Sequence, residues 1–232
     1  MSAIFYIMGK SATGKDLVYR TIKQDYPELT PIVLYTTRPM RKKETQGVEY
    51  HFIDEAKLEE FDKAGKIIEK RTYQTVHGPW HYATVDDGTV DPADPDKFYV
   101  AIGTLEAYTR MRGYYGAEMM IPIYLYSDDV TRLERAIRRE KKQEKPNYKE
   151  VCRRFLADEE DFSEENLRNA GIFVPADSPQ SKEPDGNGVH TPQTGEGEKL
   201  TPGFKKESME EAYPLICRTI DRITGRQPQE AD

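Results

Sequence analysis

The chain has 232 residues, 37% hydrophobic and 10% aromatic, which suits one compact α/β domain with inserted lobes. Its 34 Lys+Arg against 41 Asp+Glu give a net charge of −7, which excludes a general nucleic-acid binder but not a small anionic ligand held by a local basic cluster. Cys152 and Cys217 lack metal-ligand spacing, the apolar run Ala3–Met8 is too short for a signal sequence, and no stretch nears membrane-spanning length. The expected setting is therefore the reducing cytoplasm, with no membrane partner.

The first element is an apolar run rich in β-formers, Ile4 to Met8, which reads as a buried parallel strand. Gly9, Lys10, Ser11, Ala12, Thr13, Gly14 and Lys15 then fit G-x-x-x-x-G-K, and Leu17, Val18, Ile22 and Tyr26 recur at helical spacing. Strand, glycine loop and helix in this order imply a phosphate-binding loop. Its backbone N–H groups form an anion nest behind a helix N-terminus, and Lys15 supplies a point charge for the outer phosphates. Asp16 stands where the motif has Ser or Thr, and its carboxylate is a hard oxygen ligand suited to Mg²⁺.

The helix is expected to end at about Asp25, with a strand at Ile32–Thr36, a basic loop at Thr37–Glu44 and a short strand at Gly47–Phe52. Taken alone, the run Arg38–Lys43 reads as a solvated charged loop. Asp54 and Gly65 bracket a helix, and Ile67–Glu69 with Thr72–Val76 pairs as a hairpin with Trp80–Val85. Asp86–Asp96 is an acidic loop without calcium-site spacing. Strand Phe98–Gly103, helix Thr104–Tyr114 and strand Met119–Tyr126 follow. A helix capped by Ser127 carries an apolar stripe of Val130, Leu133 and Ile137. A second helix over Tyr148–Arg168 carries Cys152, Phe155, Leu156 and Phe162 on its apolar side. A last short strand falls near Gly171–Val174, and Ala176–Lys205, nearly devoid of apolar residues, reads as a disordered insertion before a final amphipathic helix over Lys206–Gly225.

The Gly9–Asp16 loop, Thr36-Thr37-Arg38-Pro39 with Arg41 and Glu44, Gly47-Val48-Glu49-Tyr50-His51-Phe52, Ile68-Glu69 and Tyr82-Ala83-Thr84 together resemble the guanylate kinase family of P-loop nucleoside monophosphate kinases. The resemblance runs over roughly residues 1–170. It implies a three-layer P-loop fold with a parallel central sheet, an inserted acceptor-binding lobe at about 38–86 and a lid at about 138–150, in a domain made of 1–175 and 206–226. It implies ATP and Mg²⁺ as cofactors, small nucleotides as partners, and transfer of the ATP γ-phosphoryl to a nucleoside monophosphate, GMP or dGMP first. The chain would act as a monomer or homodimer.

Carried over by position, Arg38, Arg41, Glu44, Tyr50, Tyr82 and Thr84 would hold the acceptor, and Glu69 would accept the ring N–H and exocyclic amine of guanine. Residues 9–16 would hold ATP, Asp16 the metal, and Lys15, Arg135, Arg139 and Arg154 would act on the transferring group. The chain departs from the family at Leu34-Tyr35, where a base-reading Ser is usual, at Ala83 in place of Gly, and at Ala101 and Gly103 in place of an Asp pair. Asp16 is a candidate compensating carboxylate, and Glu106 is the nearest other acid in sequence. Two alternatives remain open here: a non-catalytic module holding a phosphorylated partner, and a kinase of a different small phosphorylated acceptor.

Overall fold

The computed structural model describes residues 2–75, 78–173, 201–202, 204–205 and 209–227. β1 (Ala3–Met8) lies at the centre of a parallel sheet, flanked by β7 (Phe98–Gly103) and β8 (Met120–Tyr126), with β2 (Thr30–Pro31) and β11 (Phe204–Lys205) at the edges. Every residue of β1 is buried, as its unbroken apolar run requires. Alternation sorts them between two cores. Ile4, Tyr6 and Met8 join Tyr99, Tyr108, Tyr124 and Leu167 on the side of α3 (Leu105–Tyr115) and α6 (Glu164–Asn169). Phe5 and Ile7 join Val18, Ile22, Ile216 and Ile220 on the side of α1 (Lys15–Asp25) and α7 (Met209–Thr224). The result is the expected three-layer α/β fold.

A second sheet carries β4 (His51–Phe52), β3 (Tyr35–Thr36), β6 (Gly78–Val85) and β5 (Ile67–Thr75) in that order, with α2 (Glu55–Lys63) against it. Its own core is Tyr35, Leu58, Ala83 and Val85. Tyr35 and Ala83 are direct cross-strand partners, so these two departures from the family pattern pack the interior of the lobe. Tyr82 and Thr84 alternate onto the opposite face.

Several expectations are corrected. The single strand at 32–36 is two, because the chain changes sheets there: Ile32 N donates to Val100 O at 2.9 Å, and Leu34 O accepts from His51 N at 2.8 Å. The two strand pieces at 67–76 are one strand, β5, with an irregularity between Ile67 and Glu69. α4 (Asp129–Glu140) is capped by Asp128, whose side chain accepts from Thr131 N, and not by Ser127. Its expected apolar stripe faces outward at Val130 (68% exposed) and Ile137; the buried residue of α4 is Arg132. The long helix at 148–168 is broken into α5 (Tyr148–Asp161) and α6. Phe162 turns into the core against Tyr124, with ring centroids 5.7 Å apart, and Ser163 caps the next helix. Leu156, expected on an apolar face, is 69% exposed.

β9 (Ile172–Phe173) is the expected last strand, but it pairs with β10 (Thr201–Pro202) outside the central sheet. Residues 176–200 and 203 of the expected insertion lie outside the described residues, whereas its end is paired as β10 and β11.

Candidate functional site

The glycine loop leaves β1 at the carboxyl edge of the central sheet. A Cβ on Gly9 would sit 2.3 Å from the Leu125 carbonyl oxygen, so only glycine lets β1 turn here beside β8. Ala12 (φ 65°) and Gly14 (φ 86°) both take left-handed conformations, and Gly14 caps α1 without any side-chain bond. The first turn of α1 thus faces the loop without a capping side chain, in the arrangement that suits an anion. Lys15 and Asp16 lie in that turn. Burial pushes the Lys15 ammonium below its ordinary pKa, with Asp16 and Asp158 opposing the shift and Arg139 and Arg132 adding to it.

The other loop side chains point into the fold. Thr13, fully buried, donates from Oγ1 to Lys10 O at 2.9 Å. Lys10, 1% exposed, places Nζ 2.6 Å from Glu159 Oε2. Ser11 N donates to Asp158 Oδ2 at 2.7 Å. Between them lies Arg132, 1% exposed, which donates to Ser11 O, Asp129, Asp158 and Glu159 and stacks over Phe155 at 4.9 Å. The base of the lid region is thereby tied to the loop by an ion-pair network. Of the three expected lid and helix arginines, Arg139 is close enough to act on Lys15, and Arg135 acts on Asp128. Arg154 is exposed and paired with Glu150 Oε1 at 2.8 Å.

The lobe gathers most of the expected acceptor residues. Arg38, 3% exposed, forms a two-pronged ion pair with Glu44, Nη1 to Oε2 at 2.9 Å and Nη2 to Oε1 at 2.8 Å. Its guanidinium lies 5.4 Å from the rings of both Tyr50 and Phe52. The Tyr50 and Tyr82 rings meet edge to face at 5.6 Å. Arg38 holds the Glu44 carboxyl below the usual glutamate range. Arg41 contributes its backbone N–H to Glu44 at 2.8 Å, while its side chain is exposed.

Glu69 and Thr84 are cross-strand partners, as are Arg71 and Tyr82, so alternation places all four side chains on one face of the β5–β6 ribbon. Glu69, 5% exposed, accepts from Arg71 Nε at 2.5 Å. Burial raises its pKa above the ordinary value, and Arg71 limits the rise. Arg71 Nη1 reaches on to Thr104 Oγ1 at 3.1 Å, joining the lobe to the N-cap of α3. Arg71 also lines a cavity of about 460 Å³, with Tyr73, Glu106, Arg110, Asp161 and Asn166 among its walls.

Ala101 is buried within β7, and the Tyr6 hydroxyl fills the space in front of Gly103 at its end. A Cβ at Gly103 would lie 2.1 Å from that hydroxyl, which donates to Thr104 O at 3.1 Å. The space at position 103, one of the two where the family pattern has an acid, is thus filled by an aromatic side chain.

Sequence reasoning missed Arg132, Asp158, Glu159 and Arg71. The first three looked like the charge-laced surface of two helices, where most such residues are solvated. For Arg71 a signal existed, since period two puts it on the face of Glu69 and Tyr73.

A parallel α/β sheet with a glycine loop at its carboxyl edge and a β-lobe carrying a buried arginine–tyrosine cluster defines a P-loop phosphate-binding fold. Residues 2–86 match the family model for guanylate kinase. The chain is 43% identical over 63 residues to a guanylate kinase of Frankia casuarinae, a match covering 27% of this chain and 34% of that protein. It is 38% identical over 78 residues to one of Nitrosomonas europaea, covering 34% of this chain and 37% of that protein. The chain therefore spans about a third of the length of these curated relatives. The crystal structure of guanylate kinase from Anaplasma phagocytophilum superposes with a TM-score of 0.56 at 13% identity, over 97% of this chain and 88% of that one, which shows a shared fold. The resemblance drawn from the motifs holds for the loop and the lobe. No helix among the described residues is long and apolar enough to cross a membrane.

Proposed function

We propose that the protein transfers the γ-phosphoryl of ATP to a nucleoside monophosphate, GMP or dGMP first, in the cytoplasm. One observation carries the acceptor side. Among the described residues, three buried side-chain polar atoms lack a hydrogen-bond partner: Arg38 Nε, Glu69 Oε2 and Thr84 Oγ1. All three belong to the lobe residues that the family resemblance assigns to the acceptor. A buried polar atom without a partner costs about 1–3 kcal/mol, and a ligand that supplies the partner recovers it.

In this reading Arg38, kept charged and oriented by Glu44, grips the acceptor phosphate with Tyr50, Tyr82 and Arg41, and Thr84 and Glu69 face the base. Residues 9–16 wrap the ATP phosphates, with Lys15 as the charge on the outer ones. ATP supplies the phosphoryl group, and Mg²⁺ neutralises charge on it. Asp16, exposed in the first turn of α1, is the carboxylate available to that metal, which suits an ion held mainly by phosphates and water. The acceptor phosphate is already an anion, so catalysis is positioning and charge stabilisation, with Arg135 and Arg139 of α4 stabilising the transferring group.

The test is ADP formation with Mg-ATP and each of GMP, dGMP, AMP, CMP, UMP and dTMP, alongside Glu69→Gln. Turnover confined to GMP and dGMP and lost in Glu69→Gln is expected. Turnover with another monophosphate keeps the chemistry and moves the acceptor. ATP binding without turnover on any of them overturns the reading.

A further inference from the structure

The face of the lobe that carries Glu69 also holds a largely buried charged group outside the acceptor set. Arg71 projects from the face that carries Glu69, Tyr82 and Thr84. It stands between two clusters, bonded to Glu69 on one side and close enough to Tyr50 on the other to lower that hydroxyl's pKa against the effect of burial. Its side chain is only 17% exposed, and Arg71 is among the residues that line the 460 Å³ cavity. Glu69, bonded to Arg71, does not itself line the cavity. Two of the guanidinium nitrogens are occupied: Nε by Glu69, and Nη1 by Thr104. Among the described residues Nη2 makes no hydrogen bond, and its two N–H donors extend the edge that begins at the carboxylate. Fixed at both ends, the guanidinium is pre-organised, and little side-chain entropy remains to be lost on binding.

We propose that Arg71 is a second base-reading residue, donating from Nη2 to the 6-oxo group of a 6-oxopurine while Glu69 accepts from its ring N–H and exocyclic amine. This rests on the GMP kinase reading given above. The two side chains would then present a donor followed by acceptors, which is the complement of the guanine edge, O6 then N1–H then the 2-amino group. Leu34 and Tyr35 stand where the family has a base-reading hydroxyl, and Arg71 supplies a donor on the same face as Glu69. The arrangement also rejects adenine, whose 6-amino group would turn its N–H donors toward a guanidinium that has nothing to accept them with.

The experiment compares kcat/KM for GMP, 6-thio-GMP, IMP and AMP in the wild-type protein, Arg71→Gln and Arg71→Lys. 6-Thio-GMP keeps N1–H and the 2-amino group but replaces O6 by a weak sulfur acceptor, and IMP lacks only the 2-amino group. Wild type is expected to favour GMP over 6-thio-GMP by at least about 10-fold, the lower part of the range for one base-specific contact. In Arg71→Gln that preference should shrink toward unity and GMP kcat/KM should fall about 10- to 100-fold, with the KM for ATP and the GMP-over-IMP preference kept. Arg71→Lys, which retains charge and a donor without the fork, should fall between. If both variants lose GMP and 6-thio-GMP equally, so that the ratio stays at the wild-type value, Arg71 only braces the lobe against Thr104 and the proposal fails while the kinase reading stands. If wild type does not use GMP at all, both fail.

Discussion

The loop side and the lobe side of this molecule treat buried charge in opposite ways. Around the glycine loop the chain satisfies itself: Lys10, Ser11 and Arg132 are met by Asp129, Asp158 and Glu159 in a closed network. In the lobe, an arginine, a glutamate and a threonine are buried with one polar atom each left over. The first arrangement fixes geometry without a ligand, so its loss should appear as lost stability. The second holds binding groups in a costly state, so its loss should appear as lost acceptor affinity. Burying unpaired polarity is the signature of a site whose partner arrives from outside.

Substitutions can break this contrast. The largest effect is expected from Arg132→Ala, which removes the shared partner of three carboxylates and strands them beside the loop. Loss of one side of a buried ion pair costs about 3–5 kcal/mol, to be read as a fall in thermal or denaturant midpoint. Arg132→Met, which keeps volume over Phe155, should recover part of it. A midpoint within experimental error of wild type in Arg132→Ala would mean that the network contributes nothing to folding. Next is Lys15→Ala, expected to lower turnover by at least about two orders of magnitude with little change in folding, by analogy with losing one donor to a developing charge. An unchanged rate removes the loop from catalysis.

Arg38→Lys tests the lobe. It keeps the charge but not the fork, and the KM for the acceptor should rise about 10- to 100-fold, as for losing charge-assisted hydrogen bonds of about 1.5–3 kcal/mol. A change confined to the KM for ATP would place Arg38 on the wrong substrate. The smallest effect concerns pH. Glu44 titrates below its ordinary value of 4.5 because Arg38 pairs with it, so its contribution is fully present above that value and is lost as pH falls through the depressed one. Acid unfolding of Glu44→Gln should lack this slope below about pH 4.5, while wild type shows it. Parallel acid limbs in the two proteins would show that the pair adds no linkage.

What could be read from residues alone follows the same division. β1, the loop and α1 were legible because an apolar run, glycines and helical spacing are local signals that agree. The lobe's site was legible through Arg38, Glu44, Tyr50 and Tyr82, whose spacing matches a family pattern and which the fold brings together. The loop network was not. Arg132 is the buried residue of a helix whose Val130 and Ile137 face outward, and only the packing of α5 against α4 makes that favourable. Likewise Phe162 breaks a helix that local propensity would continue, because the pocket beside Tyr124 is worth more than another turn. Arg71 falls between the two: its face could be counted from the strand period, but its bond to Thr104 joins residues 33 positions apart.

The Tyr6 hydroxyl in front of Gly103 also constrains the evolutionary history open to this chain. A carboxylate at position 103 requires the end of the Tyr6 ring to move, because the first carbon of any side chain would lie 2.1 Å from that oxygen. If residue 6 loses its hydroxyl or shrinks to make room, Thr104 O loses a donor. Substitutions at the two positions should therefore couple rather than add.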